Sequence, residues 1–144
     1  MTHEVKLLNV EDVRAVAACH CIFALLRPHL DAAEFAKRVD IQAKENYSIV
    51  YMEVDDEILA AAGFRVGHFL AWGKVLYIDD LITLPGRTRQ GLGGALMDWL
   101  IEQGRQQDCD EVHLDTGFLR HAAHRLYLNK GLELSCHHLS RKLK

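Results

Sequence analysis

A short basic turn, in which Arg87 and Arg89 precede Gly91, Gly93 and Gly94, holds the residues best suited to bind an anion. It directly precedes a predicted helix, whose apolar residues recur at helical spacing: Leu92, Ala95, Leu96, Trp99 and Leu100. The first turn of a helix has unpaired backbone N–H groups and partial positive charge, and glycines let a phosphate approach those groups closely. The sequence therefore predicts a phosphate-binding turn formed by the backbone of residues 89–95.

Two common phosphate-binding motifs do not fit this turn. A P-loop requires Lys and then Ser or Thr after its last glycine, whereas Ala95 and Leu96 follow Gly94. A dinucleotide-binding fingerprint requires a glycine or alanine three residues after its second glycine, and that position is Leu96. The turn therefore either binds a different phosphate ligand or is an ordinary strand-to-helix turn whose glycines serve packing.

The strand that leads into this turn carries Tyr77, Asp79 and Asp80. Because side chains alternate along a strand, we expect Tyr77 and Asp79 to share one face and Asp80 to lie on the other. An aspartate with an ordinary pKa of about 3.9 can take a proton from an amine only with help from burial or a bridging water. Either aspartate could instead hold a cation, and together with Asp55 and Asp56 they favour a cationic amine as ligand.

An alternating series of strands and helices positions these residues. The pattern predicts the order β-α-α-β-β-β-α-β-α-β, with antiparallel hairpins first and then a right-handed parallel crossover through the long helix. Asn9 and Asp31 are the expected N-caps of the first two helices, and a closing strand is expected over residues 132–140. This order indicates an α+β, three-layer α/β/α protein, and a length of 144 residues predicts one domain over residues 1–144.

Composition excludes several classes of protein. A net charge of −3 gives no reason to expect nucleic acid or an anionic membrane as a partner. No apolar run is long enough to span a bilayer and the N-terminus lacks the apolar core of a signal peptide, so we expect a cytoplasmic protein. The four cysteines and nine histidines lack the spacing of a zinc site, so no metal is expected.

Two segments resemble motifs of the GNAT N-acetyltransferases. The basic turn is similar to the family's acyl-CoA turn, Gln/Arg-x-x-Gly-x-Gly/Ala, with Gly91 and Gly93 at the small positions and Thr88 in place of Gln or Arg. Residues 120–131 are similar to the helix motif Asn-x-x-Ala-x-x-Leu/Phe-Tyr followed by glycine, although Arg120 replaces the Asn. The matching residues are Ala123, Leu126, Tyr127 and Gly131. The resemblance covers nearly the whole chain and implies a mixed GNAT-type sheet of six to seven strands with about four helices.

The resemblance also implies acetyl-CoA as co-substrate and assigns roles to particular residues. The turn would bind the CoA pyrophosphate, and the strand before it would pair with the pantetheine arm. The implied cofactor-binding residues are Leu81, Ile82, Thr83, Arg87, Thr88, Arg89, Gln90, Gly91, Leu92, Gly93, Gly94, Ala95, Arg120 and Ala123. Tyr127 matches the tyrosine that protonates the departing thiolate in many members. Asp79 aligns with a glutamate proposed as the base in polyamine acetyltransferases, and Asp80 is the second catalytic candidate.

The function implied by the resemblance is direct transfer of an acetyl group from acetyl-CoA to an amine of a small molecule or peptide. A polyamine or an aminoglycoside fits the aspartates. Because Thr88 and Arg120 depart from the family pattern, a non-catalytic acyl-CoA-binding module stays open, as does a regulatory protein on the same fold. Many GNAT proteins are dimers, so a homodimer is a further expectation.

Overall fold

Five strands and four helices follow one another along residues 3–86 and 91–144, the part of the chain that this computed structural model describes. In chain order they are β1 (Val5–Leu7), α1 (Val13–Leu26), α2 (Ala32–Ala43), β2 (Tyr47–Val54), β3 (Glu57–Phe69), β4 (Gly73–Thr83), α3 (Leu92–Gln106), β5 (Glu111–Leu114) and α4 (His121–Asn129). They divide into two units, Met1–Leu114 and Asp115–Lys144, and α4 belongs to the second. In the described ranges, every helix is too short or too polar to span a bilayer.

One mixed sheet contains the five strands, in the order β1-β2-β3-β4-β5. The first three neighbouring pairs are antiparallel, and β4 and β5 are parallel. The long helix α3 connects that parallel pair, as the crossover pattern predicts. The α+β class and the four helices are confirmed, but the sheet of the described residues has five strands rather than six to seven.

Part of the difference in strand number arises because the closing strand expected over residues 132–140 does not form. Residues 132–144 form neither helix nor strand, and Leu134, Leu139 and Leu143 are 85%, 86% and 91% exposed. The prediction of a strand here is wrong, because a strand needs a neighbour that accepts and donates its backbone hydrogen bonds. No described strand fulfils that role for this segment.

Helices cover both faces of the sheet in the first unit. On one face, α1 and α2 contribute Ile22 and Phe35 to a core that includes Tyr47 of β2. On the other face, Trp99 of α3 contacts Phe64 of β3 edge to face, with ring centroids 6.1 Å apart. This arrangement is the three-layer order that the sequence predicts.

Aspartates begin the first two helices. Asp31 accepts a 2.8 Å hydrogen bond from the Glu34 N–H, as expected for the N-cap of α2. The N-cap of α1 is Asp12 rather than Asn9, because the helix begins three residues later than the sequence pattern suggests. The Asn9 side chain instead accepts a 3.0 Å bond from the Glu11 N–H in the preceding turn.

Candidate functional site

The N-terminus of α3 lacks a side-chain cap among the described residues. Gly91 is its N-cap, in a left-handed conformation with φ of 71° that favours glycine. The first helical bond runs from the Ala95 N–H to the Gly91 carbonyl at 3.0 Å, so the N–H groups of Leu92, Gly93 and Gly94 have no acceptor within the helix. The sequence predicts that these backbone N–H groups bind an anion. The Leu92 side chain itself is fully buried, so only its backbone can take part.

Four of the predicted cofactor-binding residues lie outside the described part of the chain. They are Arg87, Thr88, Arg89 and Gln90. Their proposed role in phosphate binding stays a prediction.

The last part of β4 holds the next predicted cofactor-binding residues, Leu81, Ile82 and Thr83. The parallel pairing between β4 and β5 runs from Val75 to Ile78, and β4 continues beyond it to Thr83. Ile82 packs against the α1/α2 core and Leu81 is 6% exposed, so both side chains serve packing. A ligand alongside this segment would therefore meet mainly backbone.

A β-bulge interrupts β4 at Asp79. Asp80 lies opposite Gly63 and Ile78 lies opposite Phe64, so Asp79 has no register partner of its own on β3. An extra residue in one strand disturbs the alternation of side chains. The expectation that Asp79 and Asp80 face opposite sides is therefore wrong. Both contact residues on the face covered by α1 and α2.

Asp80 is held by two donors. The Tyr47 hydroxyl donates to its Oδ2 at 2.7 Å, and Arg27 Nε donates to its Oδ1 at 3.0 Å. Arg27 Nη2 also donates to the backbone oxygen of Asp79 at 3.2 Å, which fixes the bulge. Burial, together with the adjacent charge of Asp80, raises the pKa of Tyr47 well above its ordinary value, so the hydroxyl remains a donor.

Asp79 is paired with Arg65 on the neighbouring strand. Arg65 Nη2 lies 2.7 Å from Oδ2, and Nε lies 3.1 Å from each carboxylate oxygen. The Arg65 guanidinium also lies 5.3 Å from the centroid of the Tyr47 ring, a cation–π contact. Burial raises the pKa of Asp79 above its ordinary value, although Arg65 acts in the opposite direction. The carboxyl is thus easier to protonate than a free aspartate.

The second unit contains the other predicted catalytic residue, Tyr127. It lies on α4, is 5% exposed, and has its pKa raised by burial. The charge of Arg120 and a hydrogen bond with its side chain lower that pKa in part, so the structure brings these two predicted site residues together. Ala123 lies partly buried on the same helix, and Gly131 follows the helix end with φ of 88°, as the motif predicts.

The sequence patterns do not identify the three residues that contact Asp79 and Asp80, namely Arg27, Tyr47 and Arg65. A signal for them existed, because two adjacent aspartates inside an otherwise apolar strand require cationic or hydroxyl partners when they are buried. A second signal was Gly63, where a methyl group would overlap the Tyr47 ring. Neither signal identifies which arginine is the partner, since that depends on the strand register.

The described cysteines and histidines form no metal site. Cys19 is buried and Cys21 is exposed, so the two thiols lie on different sides of α1. Within residues 3–86 and 91–144, no group of three His, Cys, Asp or Glu side chains is arranged to hold a metal ion.

Residues 15–132 match the sequence model of the acetyltransferase (GNAT) family. The chain belongs to this family, which confirms the resemblance seen in the two motifs. It is 29% identical over 137 residues to the aminoalkylphosphonate N-acetyltransferase of Salmonella typhimurium, covering 92% of this chain and 86% of that protein. It is also 28% identical over 131 residues to an uncharacterized N-acetyltransferase of Bacillus subtilis, covering 90% of each.

Solved structures share the fold. An acetyltransferase of Trypanosoma brucei superposes with a TM-score of 0.79 at 22% identity, covering 99% of this chain and 100% of that one. An aminoglycoside N-acetyltransferase in complex with CoA superposes with a TM-score of 0.83 at 13% identity, covering 99% of this chain and 96% of the other. At these identities the likeness concerns the fold alone.

Proposed function

We propose that this protein is an acetyl-CoA-dependent N-acetyltransferase that transfers the acetyl group directly to an amine of a small molecule or peptide. The observation that carries the proposal is the N-terminus of α3, where three backbone N–H groups follow Gly91 without a side-chain cap among the described residues. The helices α1 and α2, by contrast, are capped by aspartates. Membership of the acetyltransferase family and the CoA complex of a structural neighbour support the same ligand.

Binding of acetyl-CoA uses the turn and the end of β4. The N–H groups of Leu92, Gly93 and Gly94 bind the pyrophosphate, and the neighbouring Arg87 and Arg89 add positive charge. Among the described residues, a Cβ placed at Gly91 would meet nothing within 4 Å, so none of their side chains crowds this glycine. The backbone of residues 81–83 lies alongside the pantetheine arm.

The transfer forms one bond and breaks one bond. The amine nitrogen attacks the thioester carbonyl carbon, the new N–C bond forms, and the C–S bond breaks. The proton lost by the amine passes through a water to Asp79, whose pKa is raised by burial. The departing thiolate takes the phenol proton of Tyr127, which then recovers a proton from solvent. Because the pKa of Tyr127 is also raised, its hydroxyl is protonated at neutral pH.

Asp80 has a different role from Asp79 in this proposal. Its two oxygens are engaged by Tyr47 and Arg27, and its side chain is 14% exposed. Asp80 therefore positions the bulge on which Asp79 lies.

The test is release of CoA thiol from acetyl-CoA by the full chain in the presence of single amines. The panel contains a polyamine, an aminoglycoside, an amino acid, an aminoalkylphosphonate and a peptide N-terminus, and mass spectrometry identifies the acetylated product. At least one amine is expected to release CoA in equal amount to the amide formed. Binding of acetyl-CoA without release by any amine would overturn the proposal and favour the non-catalytic acyl-CoA-binding module.

A further inference from the structure

Arg27 occupies the junction between α1 and the bulge of β4. It is the C-cap residue of α1, and its side chain reaches both Asp80 and the backbone oxygen of Asp79. Despite these bonds the Arg27 side chain is 42% exposed, whereas that of Asp80 is 14% exposed. The guanidinium therefore has one side towards the bulge and another towards solvent.

The exposed side of the Arg27 guanidinium has N–H donors that are not used in the contacts with Asp79 and Asp80. Its protein contacts use Nε and Nη2, and within residues 3–86 and 91–144 no acceptor contacts Nη1. Arg65 differs, because its Nη1 lies 3.9 Å from the Glu45 carboxylate while its other edge binds Asp79. A guanidinium has five N–H donors in a fixed planar arrangement, which suits a carboxylate or a phosphonate. Of the two arginines, Arg27 is thus the one able to bind a further anion.

The charges around the bulge are balanced within the protein. Arg65 neutralises Asp79 and Arg27 neutralises Asp80, with nitrogen–oxygen distances of 2.7 and 3.0 Å. A polyamine or aminoglycoside gains little from carboxylates that are already paired, and it has no acid group to offer the exposed side of Arg27. The four adjacent aspartate and arginine groups therefore do not favour a polycation.

We infer that the acceptor amine carries an acidic group, a carboxylate or phosphonate, and that Arg27 binds this group on its exposed side. The inference rests on the proposed transfer to an amine. Arg27 contacts the backbone of Asp79, so an acid bound at Arg27 places an amine a few bonds away beside Asp79. A compound with one amine and one acid group then presents its acid to Arg27 and its amine to Asp79, the base in the proposed transfer.

The test compares matched amines in the CoA-release assay. The acidic compounds are 2-aminoethylphosphonate and β-alanine, and the partners without acid are propylamine and 1,3-diaminopropane. A charge-assisted contact predicts a kcat/KM roughly tenfold to a hundredfold higher for the acidic amines. In Arg27→Gln the ratio of acidic to neutral amine falls towards one, and Arg27→Lys retains part of it. Arg38→Gln is the matched control. Arg38 lies on α2, is similarly exposed, and pairs with Glu34 rather than with an aspartate of the β4 bulge.

A second measurement does not depend on turnover. The thermal midpoint of the wild type rises with 2-aminoethylphosphonate but not with propylamine, and the rise is lost in Arg27→Gln but kept in Arg38→Gln. Equal kcat/KM values for the acidic and neutral amines, or an unchanged ratio in a folded Arg27→Gln, would overturn the inference while leaving acetyl transfer intact. If no amine releases CoA, the proposed function fails, and the midpoint alone decides whether Arg27 binds an acid-bearing amine.

Discussion

The Tyr47 hydroxyl donates a 2.7 Å hydrogen bond to Asp80 Oδ2, and this bond joins β2 to the bulge of β4 across the intervening strand. The Tyr47 ring crosses β3 at Gly63, where a side chain would overlap it. The same ring lies beneath the Arg65 guanidinium. Tyr47 thus supports both aspartates, one directly through its hydroxyl and the other through Arg65.

Removal of this hydroxyl should destabilise the protein. Tyr47→Phe leaves Asp80, which is 14% exposed, with one donor fewer. The free energy of unfolding is expected to fall by about 1–3 kcal/mol in urea titrations. Tyr51→Phe on the same strand is the control, with an expected change under about 0.5 kcal/mol because Tyr51 is only partly buried. Equal losses in the two variants would contradict this role for Tyr47.

A methyl group at Gly63 should be far more disruptive than one at Gly67 on the same strand. At Gly63 it overlaps the Tyr47 ring, while at Gly67 its nearest neighbour is an ordinary contact with Phe69 at 3.7 Å. We expect Gly63→Ala to cost about 3 kcal/mol or more, a severe loss by the standard of single substitutions. Gly67→Ala should be neutral or stabilising by up to about 1 kcal/mol. Thermal unfolding of both variants measures the difference, and similar midpoints would mean that the ring moves aside freely.

Loss of the Tyr127 hydroxyl should slow turnover without weakening acetyl-CoA binding. A general acid contributes roughly 100-fold or more to a rate, and the thiolate is a good leaving group, so a decrease in kcat of about tenfold to 100-fold is expected for Tyr127→Phe. The measurement is kcat beside the dissociation constant of CoA. An unchanged kcat in the folded variant would remove Tyr127 from the mechanism.

The pH dependence of turnover reports the role of Asp79. Its carboxyl acts as a base only when ionised, and burial raises its pKa above the ordinary 3.8. Activity should therefore fall as the pH is lowered through a value above 3.8, and this acid limb should disappear in Asp79→Asn together with most of the activity. If the activity of Asp79→Asn falls at the same low pH as that of the wild type, the acid limb belongs to another group of the protein or to the substrate.

Burial should protect one cysteine from alkylation. Cys19 is fully buried and its pKa is raised to about 12, whereas Cys21 and Cys136 are exposed. Because the thiolate is the reactive form, iodoacetamide at pH 8 is expected to label Cys21 and Cys136 first and to leave Cys19 unmodified. In urea all four cysteines react. Peptide mass spectrometry counts the labels, and early labelling of Cys19 in the native protein would show that α1 opens readily.

Much of the fold could be predicted from local sequence signals. The pattern predicts the N-cap of α2 at Asp31 and a helix, α3, directly after the glycine turn. Each of these depends on residues close together in the chain, such as a cap or an apolar repeat. The start of α1 was wrong because Asn9 and Asp12 are both competent caps, and only packing decides between them.

The aspartate cluster could be predicted only in part. Asp79 and Asp80 were recognised, but their faces were not, because a bulge depends on how β4 is paired with β3. The arginine partners come from segments 14 and 52–53 residues away in the chain, so no local pattern identifies them. The missing strand over residues 132–140 has the same cause, since strand formation depends on a distant neighbour.

Thermal unfolding in the presence of acetyl-CoA, CoA, ATP and NAD tests the central claim most directly, because it asks which phosphate ligand the turn before α3 accepts. A ligand at 100 times its dissociation constant adds about 2.7 kcal/mol to the free energy of unfolding, which raises the midpoint of a chain of this size by several degrees. The account predicts this rise with acetyl-CoA and CoA and a much smaller one with ATP and NAD. No rise with either CoA species, or equal rises with all four ligands, would contradict it.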